Sequence, residues 1–295
     1  ALKGDLCVFG EVLFDEFPDG RRVLGGAPFN VAWHLAAFGE GPLLISRVGD
    51  DADGAAVRDA MRGQDMNTSG LQTDPDLPTG RVRVLFEDGE PGYDIVHPAA
   101  WDAIAAGPAV PACGLLYHGS LALRDETSRN TLQRLRGNGP SLVFVDVNLR
   151  PPWWNREQVL ANVQGAQWVK LNHHELDELA GGDAAGDGVA RFIESNDLEG
   201  LLVTAGENGA TVYTARGEEF RARPMPATEV VDTVGAGDAL SSVMILGLMR
   251  GLQLQTAVDR AQAFASAIVG RRGATVDDPA FYEPFISAWG RGATA

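Results

Sequence analysis

The sequence predicts an α/β fold: a doubly wound, mostly parallel sheet with helices on both faces and a small β-sheet lid, built as a single domain over residues 1–295. Three observations carry this. Short runs that are apolar on both faces recur along the chain, and segments with three- and four-residue apolar spacing lie between them. Two stretches of alternating residues around Asp-Gly turns break the rhythm. Strands apolar on both sides are those of a parallel sheet covered by helices on each face.

In chain order the strand runs are 6–11 (LCVFGE), 43–49 (LLISRVG), 115–120 (LLYHGS), 142–148 (LVFVDVN), 168–172 (WVKLN) and 201–206 (LLVTAG). Helical spacing appears at 29–38 (FNVAWHLAAF), 131–137 (TLQRLRG) and 188–196 (GVARFIESN), and the chain from 236 onward reads as mostly helical. The two exceptions, 12–26 and 79–97, have the hairpin pattern. They are either ordinary edge hairpins or together a small sheet forming a lid. The lid is the better reading, because both leave the strand–helix rhythm close to strand ends, where open α/β sheets bind ligands. No repeat, low-complexity tract or linker is seen.

With 295 residues, 45% of them hydrophobic, the chain can bury a large core, and disorder is excluded. The formal net charge of −16 repels a phosphate backbone, which excludes nucleic-acid and anionic-membrane partners in the absence of a basic patch. Lysine occurs only at Lys3 and Lys170, so an anionic ligand must be held by arginines, backbone N–H groups or a metal. Cys7 and Cys113 each lie in an apolar run and read as two buried reduced thiols, which points to the cytoplasm. No signal-peptide pattern precedes the first strand and no apolar run approaches the ~20 residues of a bilayer span, so a soluble protein that is not exported is expected.

The chemistry concentrates in 230–239 (VVDTVGAGDA), which runs into the apolar stretch LSSVMILGL. Gly235, Ala236 and Gly237 leave the backbone bare at the start of a helix, where unpaired N–H groups and the helix dipole favour an anion. Asp238 is then either a stabilising first-turn acid or a general base taking a proton from a hydroxyl that attacks phosphorus. The second reading suits phosphoryl transfer. No G-x-x-x-x-G-K-[ST] occurs, and the first strand leads into FGEVLFDEF rather than G-x-G-x-x-G, which disfavours Walker-type NTPases and Rossmann dehydrogenases.

On these residues the chain resembles a known family. The stretch 232–238 (DTVGAGD) is similar to the C-terminal signature of the ribokinase-like (PfkB) carbohydrate kinases, and 25–39 (GGAPFNVAWHLAAFG) resembles their N-terminal glycine-rich signature. The motifs FGEVLFDEFPDG, GGAPFNVA, DVNLRPPWW and LNHHEL look most like the bacterial fructokinases within it. The resemblance implies a doubly wound domain with a β lid closing over a sugar, ATP as phosphoryl donor and Mg2+ as helper. Asp238 matches the catalytic base and Gly235, Ala236 and Gly237 the anion hole.

Asp15, Gly25, Gly26 and Asn30 match the sugar contacts of the family, and Tyr93 in the second lid segment joins them. By their own chemistry these residues admit other roles. Asp15 could be a solvated turn acid, the two glycines could merely make a turn, and Asn30, polar on an apolar helix, could be a satisfied buried amide.

Asn172 and Glu175 share a helix face and match the N-x-x-E element that holds Mg2+ through water. Adjacent His173 and His174 point about 100° apart and are expected on the surface. Thr204, Gly206 and Gly209 match the segment that wraps the nucleotide, against a plain strand–turn–strand, with Gln262 by the adenine. Many members bind a monovalent cation, K+, near positions matching Asp232, Val234, Ile268, Arg271 and Gly273. Asp146, Asn148 and Arg150 sit at the end of an apolar strand and are expected to share a face. Arg150 is then either a phosphate or substrate contact or only a salt-bridge partner of Asp146. The following PPWW (151–154) is core or a lid-facing wall.

A sugar kinase explains the anion hole, the base, the lid and the Asn-Glu pair together. An oxidoreductase explains only the α/β pattern. A non-catalytic sugar-binding regulator explains the lid and pocket, but Asp238 argues against silence. The second lid segment, GYDIVHPAAWD, offers His97 as the only cation, which disfavours 2-keto-3-deoxygluconate and sugar phosphates and leaves neutral sugars, fructose first and ribose second. The expected partners are the sugar and ATP, with a homodimer formed through the lid edge.

Overall fold

The computed structural model describes residues 5–87, 90–107, 111–181, 187–223 and 230–290. The first strand run is β1 (Asp5–Phe9), and the first alternating stretch is the hairpin of β2 (Leu13–Glu16) and β3 (Arg22–Gly25). Then come α1 (Ala27–Ala37), β4 (Leu43–Gly49), α2 (Ala52–Gly63) and β5 (Leu71–Asp74). The second alternating stretch forms β6 (Gly80–Glu87) and β7 (Glu90–Ile95); its Asp88-Gly89 turn lies outside the described residues, as does Lys3.

Strands and helices next alternate as β8 (Cys113–His118), α3 (Glu126–Gly137), β9 (Leu142–Asp146), α4 (Arg156–Val163) and β10 (Trp168–Asn172). They continue through α5 (His173–Ala180), α6 (Gly188–Ser195), β11 (Gly200–Thr204), β12 (Ala210–Thr214) and β13 (Glu219–Ala222). The last part is helical, as the sequence predicts: α7 (Ala236–Met249), α8 (Leu254–Val269) and α9 (Pro279–Trp289).

The main sheet runs β13-β12-β11-β10-β9-β8-β1-β4-β5, parallel from β11 to β5 and antiparallel at β12 and β13. Alternate residues of β1 feed opposite faces: Leu6 and Val8 join the core under α1, α7 and α8, while Cys7 and Phe9 join the core under α3 to α6. Both faces are therefore apolar and covered, which is why the strand runs look uninterrupted in sequence. The chain leaves β1 in two directions, toward β4 and toward β8, and ligands of open α/β sheets bind at such a switch point.

The two alternating stretches pair with each other. They form a separate sheet, β3-β2-β6-β7, in which β2 lies parallel to β6. The bidentate Arg22–Asp53 pair (2.8 and 2.6 Å), together with Arg81–Asp53 at 3.1 Å, ties this sheet to α2.

One expectation is overturned. Cys7 and Cys113 are joined by a disulfide. They lie 106 residues apart in sequence, but β1 and β8 are neighbours in the sheet, which brings their Cα atoms to 5.7 Å, within bridging range. The inference of a reducing compartment from free thiols falls with it. Among the described residues no helix is long and apolar enough to cross a membrane.

Candidate active site

The carboxyl ends of β1, β9 and β10, the first turn of α7 and one face of the small sheet enclose a cavity of about 780 Å3. A smaller cavity of about 440 Å3 between β4 and α3, walled by Leu43, Ile45 and Leu135, carries no titratable side chain among the described residues. Chemistry therefore belongs to the larger one.

Helix α7 starts at Ala236 behind Gly235, whose φ of +81° lies in the left-handed region. A side chain on Gly235 would also collide with Ala274, whose Cα is 2.5 Å from the position its Cβ would take. Ala274 is itself fixed from α1: its carbonyl meets the His34 ring at 2.9 Å, and Trp33 Nε1 donates to Val276 O at 2.9 Å. Burial pushes His34 down to about 4, so the ring is neutral in this role. The polar residues on the otherwise apolar α1 thus hold the loop on which the turn before α7 rests. The Ala236 N–H turns back to Thr233 O, while Gly235 and Gly237 line the cavity at the start of α7, where helix N–H groups and the dipole favour an anion.

Asp238, in that first turn, is 9% exposed and accepts a hydrogen bond from Asn30 Nδ2 at 2.8 Å. Burial, with the charge of Asp146 added, pushes its carboxyl up to about 6 against the opposing Asn30 bond, Lys170 and Arg150. Beside it stands a residue that sequence reasoning missed. Lys170, in the middle of β10, donates to both oxygens of the fully buried Asp146 at 3.0 Å. Burial alone would lower the Lys170 pKa, but the carboxylates of Asp146, Asp238 and Glu175 outweigh it and raise it, so the ammonium stays charged. Its Nζ lies 2.8 Å from where a Cβ on Gly237 would sit, so the glycine makes room for the cation. Ser241 Oγ completes the group by donating to Asp146 at 2.8 Å.

On the opposite wall Asp15, carried by β2, is pushed up to about 6 by burial against the attraction of Arg150. Asp15 Oδ2 and Asn30 Oδ1 each lie 3.7 Å from the point a Cβ on Gly25 would occupy, so the glycine keeps the gap between them open. Gly26 caps α1 at φ +108°, a conformation that favours glycine, with its backbone against Glu11 O. Tyr93 reaches the wall from β7, and Arg150 enters from the loop after β9. Two buried acceptors, Glu11 Oε2 and Asn30 Oδ1, have no hydrogen-bond partner among the described residues.

The expected common face of Asp146, Asn148 and Arg150 does not form. Strand β9 ends at Asp146 and Asn148 turns at φ +42°, so the alternation stops there. Asn148 and Arg150 line the cavity, whereas Asp146 points into the core and pairs with Lys170, not Arg150. His97 is not a cavity cation either: its Nε2 bonds Asp125 Oδ2 at 2.8 Å and its ring packs on Trp153. Arg21, Arg150, Lys170 and Arg272 supply the cations of the wall, alongside Glu11, Asp15, Asp232 and Asp238. His97, Asp102 and Asp125 cluster closely, but Arg124 already holds both oxygens of Asp102.

Asn172 and Glu175 form a capping box at the start of α5. Glu175 accepts the Asn172 N–H at 2.8 Å and the Leu149 N–H at 2.7 Å, so each carboxyl oxygen already has one backbone partner. His173 and His174 are exposed, as expected. Thr204 lies beside Asn172 in the sheet, and Gly206 and Gly209 make the turn into β12, both at positive φ. Gln262 on α8 bonds Ser266 at 3.3 Å. These residues lie outside the main cavity. Asp232, Val234 and Gly273 line it together: Asp232 accepts the Val234 N–H at 3.0 Å and the Gly273 N–H at 3.1 Å, knitting the two loops. Ile268 O takes the Arg271 N–H, and the Arg271 guanidinium stacks on Phe281.

Comparison with known proteins agrees with this geometry. A family model described as pfkB family carbohydrate kinase matches residues 6–280. A fructokinase of Klebsiella pneumoniae is 32% identical over 90% of this chain and 89% of its own length. A probable fructokinase-7 of Arabidopsis thaliana is 29% identical over 90% of this chain and 87% of its own. Among solved structures, the aminoimidazole riboside kinase of Salmonella enterica, complexed with aminoimidazole riboside and an ATP analogue, superposes with a TM-score of 0.81 at 26% identity, covering 96% of this chain and 99% of that one. The signatures at both ends of the cavity and the match across nearly the whole length lead to one assignment: the chain belongs to the pfkB family of carbohydrate kinases.

Proposed function

We propose that this sugar kinase transfers the γ-phosphoryl group of ATP to the 6-hydroxyl of D-fructose, with Asp238 as general base. The observation that carries the reading is Asp238 itself: a buried carboxyl in the first turn of α7, beside bare N–H groups and inside a cavity rich in acceptors. Asn30 occupies Oδ2, leaving Oδ1 for the substrate hydroxyl. As the hydroxyl oxygen attacks phosphorus its proton passes to Asp238 and ADP leaves. The N–H groups of the Gly235–Gly237 turn and the Lys170 ammonium take the charge of the transferring group. A pKa near 6 leaves Asp238 ionised at neutral pH yet a better base than an ordinary carboxylate.

Asp15, Gly25, Gly26, Asn30, Tyr93 and Arg150 hold the sugar, and the small sheet that carries Asp15 and Tyr93 acts as a lid over it. Unpartnered acceptors at Glu11 and Asn30 suit a polyhydroxylated neutral ligand, whose hydroxyls are donors. The relatives named fructokinase support fructose among neutral sugars. Asn172, Thr204, Gly206, Gly209 and Gln262 line the nucleotide path.

Glu175 and Asn172 fit Mg2+ through water, since each oxygen of Glu175 keeps a second lone pair beyond its backbone partner. When bound there the ion neutralises phosphate charge. Asp232, Val234, Ile268, Arg271 and Gly273 are the residues that would hold K+ beside the anion hole. The edge strand β7, with Tyr93 exposed on it and Leu85 exposed on the neighbouring β6, suits pairing with a second copy.

The test is transfer of labelled γ-phosphate from Mg-ATP to D-fructose, with the product read by phosphorus NMR and the assay repeated in K+ and in Na+. Fructose 6-phosphate is expected, formed faster in K+. ATP hydrolysis without sugar phosphorylation would contradict the reading.

A further inference from the structure

Glu11 lies in the FGEVLFDEFPDG stretch, but it is not among the residues matched to the sugar contacts and has no role in the phosphoryl-transfer step above. It follows Gly10 at the carboxyl end of β1, is 3% exposed, and lines the cavity together with Asp15, Asn30 and Asp238. Its Oε2 is out of water and has no hydrogen-bond partner among the described residues. Leaving a buried polar group unsatisfied is destabilising, so a carboxyl kept only for stability is normally paired. The other buried acids follow that rule: Asp53 is held by Arg22, Asp102 by Arg124, Asp146 by Lys170 and Glu175 by two backbone N–H groups. At Glu11 the carboxyl takes one backbone hydrogen bond, but Oε2 is left over, and the residue lines the cavity beside the base.

Its surroundings suit an uncharged polar partner. Burial pushes the Glu11 carboxyl up to about 7 against a hydrogen bond from its own backbone N–H; the charge of Asp238 adds to the rise, and Arg150 and Arg124 oppose it. Near neutrality the group is therefore present as both acid and carboxylate, and a hydroxyl, which donates and accepts, satisfies either form. A substrate carboxylate or phosphate in the same place would repel the ionised form.

We propose that Glu11 is a specificity-determining contact for the acceptor, binding through Oε2 a sugar hydroxyl other than the one phosphorylated. The inference rests on the sugar-kinase reading above. It explains why a lone acid is tolerated at the end of a buried strand: the bound sugar supplies the missing partner.

The test compares wild type, Glu11→Gln and Glu11→Leu on D-fructose and its 1-, 3- and 4-deoxy analogues, with folding checked by thermal unfolding. Glu11→Leu should raise the sugar KM by about tenfold or more, the size expected for one lost hydrogen bond to a charged or buried group, with ATP KM within about threefold. Glu11→Gln, which keeps a donor and an acceptor, should recover most of the loss. One deoxy analogue should be penalised in wild type and not in Glu11→Leu, while the others keep their penalties. A wild type that phosphorylates no sugar overturns both readings. An active wild type whose folded Glu11 variants keep its sugar KM and its full pattern of deoxy penalties overturns the Glu11 contact alone.

Discussion

Asp238→Asn should lower the single-turnover rate of sugar phosphorylation by about 10²–10⁴-fold, the usual contribution of a general base, while sugar and ATP affinities stay within a few fold. The amide keeps the shape of the carboxyl and an oxygen for the Asn30 Nδ2 bond at 2.8 Å, so the pocket need not rearrange. What is lost is the proton acceptor. The pH profile separates this from a structural effect. With the Asp238 carboxyl pushed up to about 6, the competent carboxylate dominates above that value, and wild-type kcat should fall as pH drops through it.

Asp15 and Glu11 titrate nearby, at about 6 and about 7, so the acid limb belongs to the cluster, and only its steepness in kcat is assigned to Asp238. For stability the sign is opposite to that of a paired acid. A carboxyl whose folded pKa lies above its unfolded value of 3.8 costs stability in full above about pH 6, and the cost disappears as pH falls through the interval to 3.8. Asp238→Asn should therefore have an equal or higher Tm at neutral pH. Single-turnover phosphorylation within tenfold of wild type would show that Asp238 is not the base.

Asp15→Ala should raise the sugar KM by about 10²-fold or more, because each charge-assisted hydrogen bond accepted by a half-buried carboxylate is worth roughly 1.5–3 kcal/mol and, on the proposed reading, this one accepts from two sugar hydroxyls. Asp15 projects from β2 into the cavity, across the gap kept by Gly25 from Asn30, so its loss falls on the sugar and not on the helix that binds phosphate. ATP affinity measured without sugar should barely move. Unchanged sugar dependence would place Asp15 outside the binding site and remove the main reason for calling the small sheet a lid.

Much of this was legible in the chain because it is written in local pattern. Two stretches alternating around Asp-Gly turns became β2–β3 and β6–β7. A bare turn before an apolar run became the start of α7, with Asp238 in its first turn. What failed depended on sheet order. Lys170 reads as one polar residue in an apolar strand; only the pairing of β9 with β10 sets it beside Asp146, and only the packing of α7 sets it under Gly237.

Glu11 was hidden for the same reason, since one acid at the end of LCVFGE says nothing about a missing partner. The disulfide required knowing that β8 lies beside β1. Asn172 and Glu175 were correctly put on one face, but their capping box and the Leu149 N–H depend on how β9 exits the sheet. The inventory of cations was incomplete, because a segment read alone does not reveal that its histidine bonds Asp125, or that Arg21 and Arg150 come from elsewhere to the wall.

The central claim is that the cavity is built for a neutral polyhydroxylated acceptor, D-fructose. The most direct measurement is kcat/KM for D-fructose, D-ribose, 2-keto-3-deoxygluconate and fructose 6-phosphate at saturating Mg-ATP with added K+. The expected order puts fructose first and ribose second, with both anionic sugars at least about tenfold below fructose, since a substrate charge buried among Glu11, Asp15 and Asp238 costs several kcal/mol unless it is fully paired. A higher value for either anionic sugar would mean that Arg21 and Arg150 serve a substrate anion and would contradict the account.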